Sequence, residues 1–381
     1  MELLNEMPVI VWTLFVFVLG TGVGSFINVL VVRLPFEKSV IWPGSRCFRC
    51  FKPIRIWDNL PIIGYLRLRG KCRACGAGFS SRYMWVELFT GVAFVALFLI
   101  EIVGNWQNIA AMNEPIRMLR TGIPTRPVIG MFTAHAFLLF LLIACSIVDL
   151  DYRVIPAQIT YTGTIIGLIF STILPWPWPT MDATTLANLP TNISWILPET
   201  YGKIPTGTTL WPFWGPLMNW APAGSPVLGF MNGLCGAIVG MLVGRGVKIA
   251  FEMGMGREAL GLGDADLMMM AGAFLGWQAI VLSLFVGAFL TLFVVVPQKA
   301  LAAIRGRPVG SELPFGPGIA AGIVVCWFGW PWLSQLLQSM VFDLFIVGFF
   351  VLVVGGGMLI AGLFLRRDTK STVGTSTTTS S

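Results

Sequence analysis

The chain has 381 residues, of which 56% are hydrophobic and only 11% charged, against about 25% charged in an ordinary soluble domain. A soluble fold of this length has too little interior to hide that much apolar surface, so a large soluble α/β enzyme is excluded and a multi-span membrane protein remains. Its apolar runs of about twenty residues suit helices rather than the short alternating strands of a barrel. The net charge of +7 is compatible with nucleic-acid binding, but in a membrane protein basic residues report orientation first, and no nucleic-acid partner is expected.

In chain order, spans are expected at 8–32, 85–104, 128–148, 157–174, 227–247, 266–277, 279–297, 315–333 and 341–365. The expected fold class is therefore all-α and polytopic, with about nine transmembrane helices. Residues 1–32 are the first helix, 33–84 a cysteine-bearing module, 85–365 the main membrane domain, and 366–381 a polar tail whose composition predicts disorder. The first run carries Glu2 and Glu6 rather than Lys or Arg at its start, and it is too long for a removable signal core. The sixth run is short for a full crossing and suits a wet or tilted position. Residues 175–226, rich in Pro and Trp, form an insertion in which proline excludes long regular helices.

Alternating these spans, with Arg245 counted at the edge of its span, puts 21 of the 25 Lys and Arg on one side, leaving Arg117, Arg120, Arg126 and Lys203 on the other. The rich side is expected to be cytoplasmic. That side receives the module, which holds Cys47-Phe-Arg-Cys50 and Cys72-Arg-Ala-Cys75. Two close thiolate pairs suit tetrahedral zinc, and a reducing compartment favours metal over disulfides. Four cysteines close the coordination sphere, so the zinc is expected to be structural. Cys145, Cys235 and Cys326 lie in apolar runs and read as packing residues. The single histidine, His135, also lies in an apolar run. It excludes the usual His-based triads and HExxH metal sites and reads as a packed or hydrogen-bonded helix residue.

Two acidic pairs stand at span ends, Asp149-Leu-Asp151 and Asp264-Ala-Asp266, the latter preceded by Gly261-Leu-Gly263. Both fall at the same cytoplasmic depth. A carboxylate there should face a bundle interior or a wet cleft. Two of them around one water provide acid and base for peptide hydrolysis without an acyl-enzyme. From spacing alone three readings stand: catalysis, cation or proton binding in a transporter or zinc-ribbon scaffold, and helix capping, for which Asp264 is well placed.

The ordered motifs resemble the type IV prepilin leader peptidases, membrane aspartic proteases of the GxGD type. The matching residues are Gly24-Ser-Phe-Ile-Asn28 with Arg33-Leu-Pro35, the tetracysteine module, Ser81-Arg-Tyr83, Asp149-Leu-Asp151 with Ile155-Pro156, Gly261-Leu-Gly263-Asp264, and Pro314-Phe-Gly-Pro317. The resemblance implies catalytic Asp149 and Asp264 and zinc ligands Cys47, Cys50, Cys72 and Cys75. It implies prepilin or pseudopilin precursors as substrates, cut at the cytoplasmic face of a bacterial inner membrane. It also implies N-methylation of the new terminus in many members, with S-adenosylmethionine as donor, although the sequence carries no glycine-rich fingerprint for that cofactor. Asp151, Asp266, Gly261 and Gly263 are the expected substrate contacts. Two positions depart from the family pattern: Ala157 replaces a polar residue, and Asp266 replaces a lysine.

Overall fold

The computed structural model describes residues 7–107, 112–174, 220, 225–255, 261–305 and 315–341. The expected span 341–365, the tail 366–381 and nearly all of the insertion 175–226 lie outside the described residues. The chain is an all-α polytopic membrane protein, and among the described residues only two isolated β-bridges occur.

Among the described residues ten α-helices follow in order: α1 Met7–Arg33, α2 Ile63–Leu68, α3 Arg82–Leu97, α4 Asn113–Arg120, α5 Arg126–Tyr152, α6 Ala157–Ile173, α7 Pro226–Met255, α8 Leu262–Leu275, α9 Trp277–Ile304 and α10 Gly316–Val341. Six of them (α1, α3, α5, α7, α9 and α10) are long and apolar enough to cross a bilayer. The helices α6 and α8 are shorter, with 17 and 14 residues.

The shortness of α8 has a local cause. It stops at Gly276, whose φ of 80° is open chiefly to glycine, and α9 begins at the next residue. Every residue from Asp264 to Leu275 is buried. Glycines on the neighbours make this possible. A Cβ on Gly236 of α7 would run into the Gly272 carbonyl of α8, and one on Gly272 would run into the Gly236 carbonyl. Gly244 meets the Cα of Ala265 in the same way, and from α6 Gly163 meets Met270. Small residues at four-residue spacing let helix backbones approach closely where water gives no driving force for association.

A second hairpin, α1 with α3, uses the same device: Gly20 backs onto Gly91, and Gly24 onto the Cα of Glu87. Asn28 donates from Nδ2 to the Tyr83 carbonyl at 3.0 Å, which fixes the hairpin's inner end. After Leu97 the third helix widens into a π-turn over Phe98–Val103, and this aims Glu101 into the core. There its Oε1 meets His135 Nδ1 of α5 at 2.5 Å. The His135 ring stands edge-on to Trp327 of α10, with centroids 4.7 Å apart. The histidine is thus a packed, polar-partnered helix residue, as its setting in the sequence predicts.

Between α1 and α3 lies the cysteine module. Arg33 closes its entry, donating to the carbonyls of Ser39, Val40 and Pro43 at 3.0, 3.1 and 2.6 Å. Glu87 of α3 accepts the Ile62 N–H at 2.7 Å and so ties the module to the membrane helices.

Candidate active site

Helix α5 presents a buried stripe of His135, Leu138, Leu142, Cys145 and Asp149 to the bundle. The three- and four-residue steps keep them on one face, so Asp149 points inward at the last turn and is only 8% exposed. Leu150 and Asp151 turn outward. The helix ends at Arg153, in the left-handed conformation, with its N–H returned to the Asp149 carbonyl. Pro156 then starts α6 at its N-cap, where a missing N–H costs nothing.

Asp264 reaches the same place from α8. Sequence position suggests an N-cap, but the helix begins earlier: Gly261 is the cap residue, and Asp264 sits inside the first turn. Its carboxylate is hydrogen-bonded by the Gly261 backbone, is 7% exposed, and lies within electrostatic reach of Asp149.

Ile155 is the hub of the arrangement. A Cβ on Gly263 would stand 2.7 Å from Ile155 Cβ, and a Cβ on Gly316 would stand 3.1 Å from Ile155 Cδ1 and 2.8 Å from Asp149 Oδ2. The α5–α6 turn, the start of α8 and the start of α10 therefore meet at one point. The Gly316 N–H donates to Asp149 Oδ2 at 3.2 Å. This is an added site residue. The Pro-Phe-Gly-Pro segment is visible in the sequence, but a backbone donor carries no sequence signal of its own.

The other two carboxylates have different partners. Asp151 pairs with Arg82 of α3 at 2.5 Å, at the outer edge of the site. Asp266 is buried, and its nearest cation is Arg245 of α7 at 3.8 Å. The cation missing at position 266 thus has a counterpart on the neighbouring helix. Gly261 and Gly263 flank the cleft beside Asp264.

Away from this cleft, the four cysteines of the module converge. Each CxxC folds into a tight hairpin in which the first cysteine's N–H bonds a carbonyl five residues on (Cys47 to Lys52, Cys72 to Ala77). Phe51 and Gly76 supply the left-handed turn residues. The two hairpins face each other, with Cys47 Sγ 3.7 Å from Cys75 Sγ and Cys50 Sγ 4.0 Å from Cys72 Sγ. All four sulfurs lie within 4.8 Å of one another. A tetrahedral ion with metal–sulfur bonds of about 2.3 Å needs sulfurs about 3.8 Å apart, so this cluster can hold one. The backbone N–H groups of Cys50 and then Arg49 pull the Cys47 thiol down to about 6. At Cys75 the Ala77 backbone bond is outweighed by burial and the neighbouring sulfurs, which push that thiol up to about 11, so Cys47 ionises before Cys75. A two-pronged contact between Arg73 and Asp58, at 2.7 and 2.5 Å, braces the second hairpin.

Two family models match the chain: the Bacterial Peptidase A24 N-terminal domain over residues 18–100, and the Type IV leader peptidase family over residues 199–296. The first contains all four cysteines and the second contains Asp264, while Asp149 lies in neither. Three similar proteins are each named Prepilin leader peptidase/N-methyltransferase. The one from Pseudomonas putida is 28% identical over 81% of this chain and 88% of its own length. The one from Aeromonas hydrophila is 27% identical over 86% and 94%. The one from Myxococcus xanthus is 29% identical over 71% of this chain but 58% of its own length. No solved structure gives a significant match.

Proposed function

Since this chain belongs to the type IV leader peptidase family, we infer that Asp149 and Asp264 are the paired carboxylates with which it cleaves leader peptides from prepilin-like precursors. The observation that carries the assignment is convergence. Two buried carboxylates from distant helices share one cleft, and the backbone donor at Gly316 holds one of them in place.

The chemistry follows from the pair. One carboxylate takes a proton from a water as it attacks the scissile carbonyl, and the other, protonated, donates to that carbonyl's oxygen. As the C–N bond breaks, the first carboxylate gives the proton it took from water to the leaving nitrogen, and the second recovers its proton from the gem-diol. Both return to their starting states, and titration belongs to the pair. The N–H of Gly316 on Asp149 Oδ2 leaves Oδ1 to meet the water. Gly261 presents little bulk beside Asp264, which suits an extended substrate backbone, whereas Gly263 is packed against Ile155. Asp151 lies at the outer edge of the site, where a basic leader could exchange with Arg82 for its carboxylate, whereas Asp266 is buried beside Arg245.

The four cysteines hold zinc in this reading, and the ion shapes the module and takes no part in hydrolysis, because a closed set of four thiolates leaves it no open position. The division into a first helix, a zinc module and a membrane peptidase domain belongs to the same proposal. So does a cytoplasmic active site in the bacterial inner membrane, which the concentration of Lys and Arg at the module end supports. N-methylation of the new terminus, with S-adenosylmethionine as donor, rests on the relatives' name.

The test is reconstitution in proteoliposomes with a prepilin precursor, comparing wild type with Asp149→Asn and Asp264→Asn. Mass spectrometry scores leader loss and methylation separately. Each variant is expected to lose cleavage by a factor of about 10² to 10⁴, the usual worth of a general acid or base. Cleavage retained in either variant refutes the assignment.

A further inference from the structure

The cysteine module leaves large apolar side chains uncovered in one short stretch. Residues 56–66 comprise the 3₁₀ turn Ile56–Asp58, a connecting loop and the first part of α2. Here Ile56, Trp57, Ile63 and Leu66 are 81, 69, 61 and 60% exposed. A surface facing water rarely gathers so many, and such a cluster marks a partner or a membrane.

Height along the bundle decides between them. The span Arg82–Val103 has 22 residues, about 33 Å at 1.5 Å per residue, which matches a hydrocarbon core of about 30 Å. Arg82 therefore stands at the module-side edge of that core, and Glu87 lies about 7.5 Å further in. A helical side chain leans back toward the start of its helix, and there the Glu87 carboxylate accepts the Ile62 N–H at 2.7 Å. Ile62 makes this bond with a φ of 60°, a costly setting for a β-branched residue. A Cβ on Gly64 would run into the Asp58 carbonyl, so the 3₁₀ turn and α2 lie side by side next to this tether. Residues 56–66 are thus held at the level of the headgroups and first acyl carbons, where tryptophan and flanking arginine are at home.

Charge decides which lipid. Residues 33–82 hold 11 of the 25 Lys and Arg against two acids, Glu37 and Asp58, and Asp58 is taken by Arg73. Arg55 and Arg67 bracket the apolar stretch; both are exposed and form no ion pair among the described residues. A second copy would bring a module of the same sign, and so would a basic leader, so neither is drawn here, whereas anionic headgroups are. We propose that residues 56–66 are an interfacial anchor: their apolar side chains sit in the lipid leaflet on the module's side, and Arg55 and Arg67 hold anionic headgroups. With Glu87 as its inner tether, the anchor fixes the height of the module on the bundle. It is independent of the leader-peptidase chemistry and stands or falls apart from it.

The full chain in vesicles of equimolar phosphatidylcholine and phosphatidylglycerol tests this. A photo-crosslinking benzoylphenylalanine is placed at Ile56, Ile63 or Ala74, the last exposed in the turn of the second cysteine hairpin, and adducts are identified by mass spectrometry. Lipid adducts are expected from positions 56 and 63, with phosphatidylglycerol favoured, and clearly fewer from 74. Equal lipid yield from all three positions, or adducts at 56 and 63 only with a second copy of this chain, overturns the proposal. Arg55→Gln with Arg67→Gln should lower the preference for phosphatidylglycerol by about fivefold for each residue, the usual worth of a cation beside an anionic surface. Added salt should weaken it in wild type. Arg55→Lys with Arg67→Lys keeps both charges and should retain it. All of these substitutions are at exposed positions and should leave thermal unfolding unchanged. The same lipid preference in the glutamine variant as in wild type overturns the proposal.

Discussion

Gly316→Ala is the sharpest probe of the site, because it leaves the N–H donor in place and changes only position. The new Cβ would stand 2.8 Å from Asp149 Oδ2 and 3.1 Å from its Cγ, whereas carbon atoms settle at about 3.5 Å or more. Ile155 Cδ1, at 3.1 Å, blocks escape on the other side. The carboxylate must retreat by about 0.4 Å, which stretches the 3.2 Å bond from Gly316 N–H to about 3.6 Å, past the useful range. A hydrogen bond to a charged group contributes about 1.5–3 kcal/mol. If that contribution is needed at the transition state, kcat/KM falls by about 10- to 150-fold at 1.36 kcal/mol per decade. The assay is initial-rate leader cleavage in proteoliposomes, with thermal unfolding measured alongside. Gly246→Ala is the control, since nothing lies within 4 Å of that Cβ. A Gly316→Ala protein that unfolds like wild type and cleaves within about twofold of it would refute the idea that this donor positions Asp149 for catalysis.

Three further outcomes are expected. Removing His135 as Ala leaves Glu101 alone in an apolar interior, and the loss should be about 3–5 kcal/mol, the usual cost of orphaning one partner of a buried pair; an unchanged melting temperature in detergent would contradict it. Cys72→Ser should abolish stoichiometric zinc, read by elemental mass spectrometry, and should open residues 46–79 to proteolysis, whereas Cys235→Ser should change neither. In the module, Arg73 holds the Asp58 carboxyl below its ordinary value, first through the side-chain hydrogen bond. A lowered folded value means that its stabilisation is complete above the unfolded value of about 3.9 and fades as pH falls through the lower folded one. A carbon-detected titration of Asp58 should show the depressed midpoint, and Arg73→Ala should return it to normal.

What the sequence disclosed depends on the range of each interaction. The two CxxC pairs were legible because metal-ligand spacing is written within four residues, and the 21 residues between them are easily folded back. The carboxylate pairs were legible because an acid at a span end is conspicuous among only 18 acidic residues. Their present partners were not. Arg82, Arg245 and the Gly316 N–H reach Asp151, Asp266 and Asp149 from other helices, and nothing local announces such contacts. Glu101 illustrates the limit. In the sequence it is one acid within an apolar run, and its meeting with His135 from the π-turn is a contact between distant segments. The short sixth span was read correctly as unusual, but its cause, the break at Gly276 and the glycine contacts from α7, lies in packing.

The helix bearing Asp264 touches α7 backbone to backbone at Gly236, Gly240 and Gly244, and meets α6 through the side chains of Met270 and Phe274. Its position is therefore tied to that of α7. Asp149 is held in another way: it stands at the last turn of α5, against the Gly316 N–H of α10 and beside Ile155. If the two carboxylates act as proposed, one is then placed by the contact between two helices and the other by a turn and a single backbone donor, so the pair's separation is set by how α7 and α10 sit on α5.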